Sequence, residues 1–365
     1  MTEPLTATNK LQGVSDMTKV QVRAPLAMKA IYLLRHILNS QNRFNNLEHK
    51  VLRRLNKKYK NYPPGKTIEL ERVPLADFDF SKVPSGKITQ PFIIKGFCEP
   101  TKLSWPELKE KFGSGRVLLH PNASLSEDFR YEIPKMVPFR EALECMEENE
   151  FAYITGATQI FEDCPELLPL VGSEDIARKF KRDIMTTELF MGGPSVGSTF
   201  HSANVVNFFV MAHGRKKWTF VAPDNYMALY PEFGRNREEV VRYSPICTAD
   251  YETKQKSKFP LYDKITKYTV TLEPGDLLCN PSNWWHEVVN LDRSIGVPHR
   301  VHGPREFNFF LLFAPFSRHG LNFAKHILAR TFLRRKPTHI VTDNLLINSF
   351  GGEKKQSAKN TKNHK

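Results

Sequence analysis

Residues 198–218 read STFHSANVVNFFVMAHGRKKW, and residues 275–289 read GDLLCNPSNWWHEVV. The first stretch sets His201 at the head of an apolar run rich in β-branched and aromatic residues, ending at a turn near Gly214-Arg215. That composition predicts a strand. The second stretch places His286 after a turn at Pro274-Gly275-Asp276, with proline where such turns favour it. Two imidazoles and one carboxylate on one face make a mononuclear non-haem iron site with open positions for cosubstrate and oxygen. In a β-barrel the first imidazole and the carboxylate can stand at i and i+2 of one strand, since those side chains share a face. Here the i+2 residue is Ala203, which cannot ligate. Taken alone, two such histidines are more often satisfied core residues than ligands.

Outward from these stretches the strand texture continues. KKWTFVAP, YTVTLEPGDLLCNP, HEVVNLDRSIGV and REFNFFLLFAPF read as strands separated by Pro/Gly turns. Many short strands of this kind predict a sandwich or barrel from about residue 186 onward. Upstream, TIELERVP (67–74) and ITQPFIIKGF (88–97) predict strands, and SWPELKEKFG (104–113) predicts a Ser-capped helix stopping at glycine. Residues 138–149 and 173–182 also read as helical, and the polar segment 232–264 reads as a functional or variable insert. At the ends, residues 1–24 carry no periodicity and are expected to be disordered. Residues 25–64 predict one long or broken basic amphipathic helix, packed on the core rather than lying on a membrane. The main domain is expected over 65–316, a C-terminal helix over 317–349 marked by Leu321, Ala324, Leu328 and Phe332, and a disordered basic tail over 350–365.

Composition narrows the class of protein. The 365 residues are 40% hydrophobic, which is ample for a core, and the formal net charge is +14. Between Pro25 and Tyr62 the only acid is Glu48, against nine lysines and arginines. Basic ends of this kind favour acidic partners, nucleic acid among them. The 5 cysteines form no CxxC pair, which argues against a disulfide framework or zinc ribbon and for reduced thiols inside the cell, in cytoplasm or nucleus. The N-terminus lacks a signal-peptide core, and no apolar run reaches membrane-spanning length.

HSANVVNFFVMAHGRKKWTFVAP and LEPGDLLCNPSNWWHEVVNLD resemble the JmjC/cupin-like family of iron(II)- and 2-oxoglutarate-dependent oxygenases. The pattern is similar to that of the asparaginyl hydroxylase group acting on hypoxia-inducible factor. The resemblance spans roughly residues 85–316, from ITQPFIIKGF through FEDCPELLPLVG to NFFLLFAPF. Its most specific element is a GD turn followed by P-x-x-WWH. The fold it implies is mainly β, a double-stranded β-helix (cupin-type jelly roll) with flanking helices.

The resemblance also assigns residues. His201 and His286 match the proximal and distal metal histidines. Lys216 matches the lysine that pairs with the far carboxylate of 2-oxoglutarate, Ser198 a Thr that bonds the same carboxylate, and Asn207 an asparagine near the cosubstrate. Trp284 and Trp285 match aromatics packed around the loop carrying the metal histidine. The departure is Ala203, where the family has Asp or Glu. Three readings follow. Iron could bind with water or halide in the gap, as in halogenases of the wider class. Another side chain could replace the carboxylate, with Asn204 pointing away by strand alternation and His299 and His302 lying downstream. Or the site is dead and the fold survives as a binding module. The resemblance implies iron(II) and 2-oxoglutarate as cofactors of an active site, a protein or other macromolecular substrate for hydroxylation, and a C-terminal helix able to support a homodimer.

Overall fold

Alternate strands of the barrel belong to opposite sheets. The computed structural model describes residues 21–302, apart from 39, 41, 84–87, 101–103, 124–133 and 233–240. The expected strand 305–316, the C-terminal helix over 317–349, the basic tail and most of the N-terminal segment lie outside the described residues. The strands are β1 (Thr67–Glu69), β2 (Arg72–Pro74), β3 (Phe92–Lys95), β4 (Arg116–His120), β5 (Lys135–Pro138), β6 (Tyr153–Ala157), β7 (Ile184–Thr187) and β8 (Leu189–Gly192). They continue with β9 (Gly197–Ala203), β10 (Val205–His213), β11 (Lys216–Val221), β12 (Val241–Tyr243), β13 (Lys267–Leu272), β14 (Leu277–Asn280), β15 (Trp285–Asn290) and β16 (Ser294–His302).

One sheet runs β1-β13-β11-β15-β9-β12. The other runs β2-β3-β14-β10-β16-β8-β6-β4-β5, with β7 also paired to β16. Thus β9, β11, β13 and β15 fall in the first sheet and β8, β10, β14 and β16 in the second. Each turn carries the chain across the core, which is the winding of a double-stranded β-helix. The turns at Gly214 and Gly275 make these crossings with φ of 66° and 90°, a region glycine occupies at no steric cost. Between the sheets pack Phe209, Met211, Trp218, Phe220, Tyr268 and Leu278, each fully buried side chain contributing about 1.5–3 kcal/mol of transfer free energy.

Several expectations are refined. TIELERVP is two short strands in different sheets, not one. The sheet begins well before residue 186, because β4, β5 and β6 extend the second sheet through β8. Their alternation is short and lies among helices, so it gives little periodic signal. The predicted helix over 104–113 is α3 (Trp105–Phe112), capped by a reciprocal Ser104–Glu107 capping box. The helices over 138–149 and 173–182 are Phe139–Glu148 and Ser173–Phe180.

The basic helix is broken in two. In chain order, ahead of α3, α1 is Leu26–Leu38 and α2 is Asn45–Tyr59. The break sits at Phe44, in the left-handed region at φ 66°, and buried Arg35 ties the halves by bonding the Arg43 carbonyl, Asn45 and Glu48. Met28, Ile31 and Tyr32 of α1 and Val51, Leu55 and Tyr59 of α2 pack with Met227, Phe259 and Trp285. Leu26, Leu34 and Leu38 face outward. Over residues 241–264 the polar insert holds more structure than its composition suggests. Within it β12 pairs beside His201, and Tyr251, Phe259, Leu261 and Tyr262 are buried anchors among exposed lysines.

Candidate metal and cosubstrate site

His201 on β9 and His286 on β15 are directly opposed cross-strand partners. Their ring centroids lie 4.2 Å apart. His201 Nδ1–H donates to the Thr199 carbonyl at 2.9 Å, and His286 Nδ1–H donates to the Trp284 carbonyl at 3.1 Å. The Asn280 carboxamide also lies 3.1 Å from that nitrogen. Each backbone carbonyl sets the tautomer of its ring and leaves Nε2 unprotonated, without a protein partner among the described residues. Burial pushes His201 down to about 4 and His286 well below its ordinary value, with the Arg300 charge acting in the same direction on both. Both rings are therefore neutral near pH 7, as a metal ligand must be. Trp218 stacks on His286, centroids 5.2 Å apart.

Ser198 shares this cavity with His201, although i and i+3 of a regular strand face opposite ways. The reason is a bulge. His286 pairs with His201 but Val288 pairs with Ser198, so β9 carries an extra residue, and that residue turns Ser198 inward. Its side chain bonds the buried Tyr153.

Lys216 opens β11 and is 1% exposed. Its Nζ donates to Asn290 Oδ1 at 2.6 Å and lies 5.8 Å from the Tyr153 ring centroid. Asn290 is itself held by donating to the Gly193 carbonyl. Gly296 makes room for the lysine stem, since a Cβ there would stand 2.9 Å from Lys216 Cε. No carboxylate among the described residues pairs with this ammonium, and burial pushes it down to about 7. A buried, uncompensated ammonium is costly, and an incoming anion would remove that cost.

The second sheet supplies the facing wall. Asn207 pairs with Asn280 on one side and Arg300 on the other, so these three side chains form a row across β14, β10 and β16. The Oδ1 atom of Asn207 is buried without a hydrogen-bond donor. Arg300 lines the cavity and pairs with Glu188 at 2.7 and 2.8 Å.

All five residues expected at the site, Ser198, His201, Asn207, Lys216 and His286, line one cavity, and Ala203 lines it with them. Of the proposed substitutes for the carboxylate, Asn204 and His299 do not. Asn204 is absent from the lining and accepts from the Asn283 amide at 3.2 Å. His299 is a core residue, bonded to Thr187, Ser173 and the Val171 carbonyl. His302 ends β16 opposite Val205, and its side chain lies outside the described residues. No group of three or more His, Cys, Asp or Glu placed to hold a metal occurs among the described residues. Tyr153, Asn280 and Arg300, which line the cavity, and Asn290 and Glu188, which bond Lys216 and Arg300, carry no motif of their own, because strand pairing sets their places. Trp284 and Trp285 are structural: the indole N–H of Trp284 donates to the Thr89 carbonyl, and Trp285 is fully buried.

A family profile described as a cupin-like domain matches residues 87–299. The HSPB1-associated protein 1 homolog of Danio rerio is 31% identical over 160 residues, 44% of this chain and 34% of that protein. Arginine-specific demethylase JMJ20 of Arabidopsis thaliana is 28% identical over 114 residues, 30% of this chain and 22% of that protein. The tRNA wybutosine-synthesizing protein 5 of Gallus gallus is 26% identical over 230 residues, 55% of this chain and 67% of that protein. The match to this chain thus spans about a third or less of the first two relatives' length. The profile covers more than half of the chain and takes in β3 through most of β16, so the chain belongs to the cupin-like, JmjC-type domain family.

Proposed function

We propose that the barrel is an iron(II)- and 2-oxoglutarate-dependent oxygenase with a two-histidine metal site, hydroxylating a protein or other macromolecule. The observation that supports it most is the pairing of two neutral imidazoles, each with Nδ1 held by a backbone carbonyl, with a buried Lys216 that lacks an anionic partner. The donor set fits the group. His201 and His286 would hold iron through Nε2, and Ala203 leaves one position without a protein ligand. Lys216 and Ser198 would hold the far carboxylate of 2-oxoglutarate, and Asn207 would accept from a hydroxyl or water beside it. Iron with 2-oxoglutarate supplies the oxidising power when bound. The protein binds and orients the cosubstrate, keeps both imidazoles unprotonated and excludes water behind Trp218 and Phe209. Two relatives are named for action on arginine and for tRNA wybutosine synthesis, which supports a macromolecular substrate. All five cysteines are unpaired, and no helix among the described residues is long and apolar enough to cross a membrane. Both observations accord with a location in cytoplasm or nucleus.

Iron(II) titration and succinate formation from 2-oxoglutarate test the proposal. Saturable iron binding and turnover that is lost in Lys216→Ala are expected; absence of both in the wild type overturns it. A second reading, a binding module without turnover, is favoured by the Arg300 charge, which reaches both imidazoles across the cavity, because a guanidinium opposes a dication. Cosubstrate binding without succinate formation would select it. Turnover with and without chloride distinguishes water from a halide beside Ala203. A homodimer is a further proposal, read by light scattering.

A further inference from the structure

We propose that a lysine-lined cleft on the outside of the barrel binds the phosphodiester backbone of single-stranded nucleic acid. The cleft has a volume of about 430 Å³ and lies between the C-terminal turn of α2 and residues 256–264. It shares no lining residue with the histidine cavity. Lys57 and Lys60 stand on one wall, Lys256 and Lys264 on the other. One acid lines it, Asp263, 3.7 Å from Lys256 Nζ and 3.6 Å from Lys264 Nζ. Lys256 Nζ also pairs with Glu252 at 2.8 Å, so the four cations meet two carboxylates, and Lys57 and Lys60 pair with neither. The negative end of the α2 dipole accounts for lysines on that helix, but it gives no reason for Lys256 and Lys264 to converge from the opposite wall.

The walls are fixed to each other. The Tyr230 hydroxyl donates to Asn56 Oδ1 at 3.2 Å and accepts from the Leu261 N–H at 3.2 Å. The Gly65 N–H donates to the Asp263 carbonyl at 2.7 Å. The charges are thus presented by a held backbone rather than by a tail. Just beyond α2, Tyr62 is 41% exposed, with its ring 5.1 Å from that of Tyr59. A positively charged groove that tracks the backbone, with an aromatic face beside it for a base, is how single strands are held without sequence preference. A bilayer is flat and would not enter a cleft. An acidic peptide would use the lysines but leave the ring unused.

The test is fluorescence anisotropy of the full chain with labelled oligo-U RNA and oligo-T DNA of about 20 nucleotides. With four lysines engaged, log affinity should fall with log salt at a slope of about −3, so binding weakens about 50-fold between roughly 50 and 200 mM. Lys57→Glu with Lys60→Glu should lower affinity by about 10-fold or more. Lys256→Glu with Lys264→Glu, from the other wall, should do the same. Lys111→Glu on α3 should leave affinity unchanged. Circular dichroism confirms that each variant is folded. No wild-type binding at the lower salt, or binding equal to wild type in both double variants, overturns the proposal. So does retention on phosphatidylserine vesicles, or binding of polyglutamate, without binding of either oligonucleotide. The assay reads no turnover, so its failure is separate from failure of the oxygenase proposal.

Discussion

On one wall of the cavity β9, β11 and β15 present His201, Lys216 and His286; on the facing wall β10, β14 and β16 present Asn207, Asn280 and Arg300. The first wall holds ionisable groups that burial drives toward neutrality. The second holds one guanidinium paired with Glu188 and an Asn207 amide oxygen with no donor. The walls therefore ask for different things. The first needs a Lewis acid for two lone pairs and an anion for a lysine. The second needs a hydrogen-bond donor. A metal with its water and a dicarboxylate would satisfy both together, and neither wall alone defines the ligand.

The largest expected effect is on the first wall. Lys216→Ala should weaken 2-oxoglutarate binding by about 100-fold, the worth of one strong charge-assisted hydrogen bond. Burial holds Lys216 near 7, so above that pH anion binding must first return a proton to it. Wild-type affinity should then fall by up to about 10-fold per pH unit above 7, and the Lys216→Ala profile should be flat. Quenching of tryptophan fluorescence reads both; identical profiles would remove Lys216 from the cosubstrate site.

The histidines give a stability effect of similar size. His201 titrates at about 4 in the folded protein against an ordinary 6.5. Between those values the unfolded chain binds the proton and the folded chain does not, so stability falls as pH drops through that window. The loss is roughly 2–3 kcal/mol for His201, and His286 acts in the same direction. Melting temperatures of wild type and His201→Gln across this window check it. Equal slopes would mean that the imidazole is not desolvated.

A smaller effect joins the two walls. Ala203→Asp should tighten iron(II) about 10-fold, and adding Arg300→Met should increase the gain, because the Arg300 charge reaches both imidazoles and opposes the metal. Unchanged iron affinity in Ala203→Asp, measured by calorimetry, would mean that the histidines do not share a metal. The smallest effect belongs to the second wall alone. Asn207→Ala should raise the 2-oxoglutarate KM by about 5-fold, close to one net hydrogen bond. An effect as large as that of Lys216→Ala would reverse the ranking of the walls.

The two walls also differ in how far they can be read from residues. The local motifs GRKKW and P-x-x-WWH mark Lys216 and His286, and the apolar run after His201 marks β9 and β10. Those signals sit within a few residues of the groups they identify. Asn207 was found only because it lies within the same stretch. Arg300 and Asn280 carry no local mark, since their place depends on register across β14, β10 and β16. Tyr153 comes from a strand embedded among helices, and Asn290 is defined only by its contact with Lys216.

From the sequence alone come the barrel class, the two histidines and the lysine, and the alanine at the carboxylate position, because alternation and short motifs are local properties of the chain. Only the tertiary structure decided that Ser198 faces inward, through a bulge that strand periodicity does not contain. It also placed Arg300, paired with Glu188, among the residues that line the cavity with Ala203, and set the lysines of α2 against Lys256 and Lys264 across one cleft. These are pairings between residues far apart in the chain, and they exist only once hydrophobic burial has chosen a register and closed the two sheets on each other.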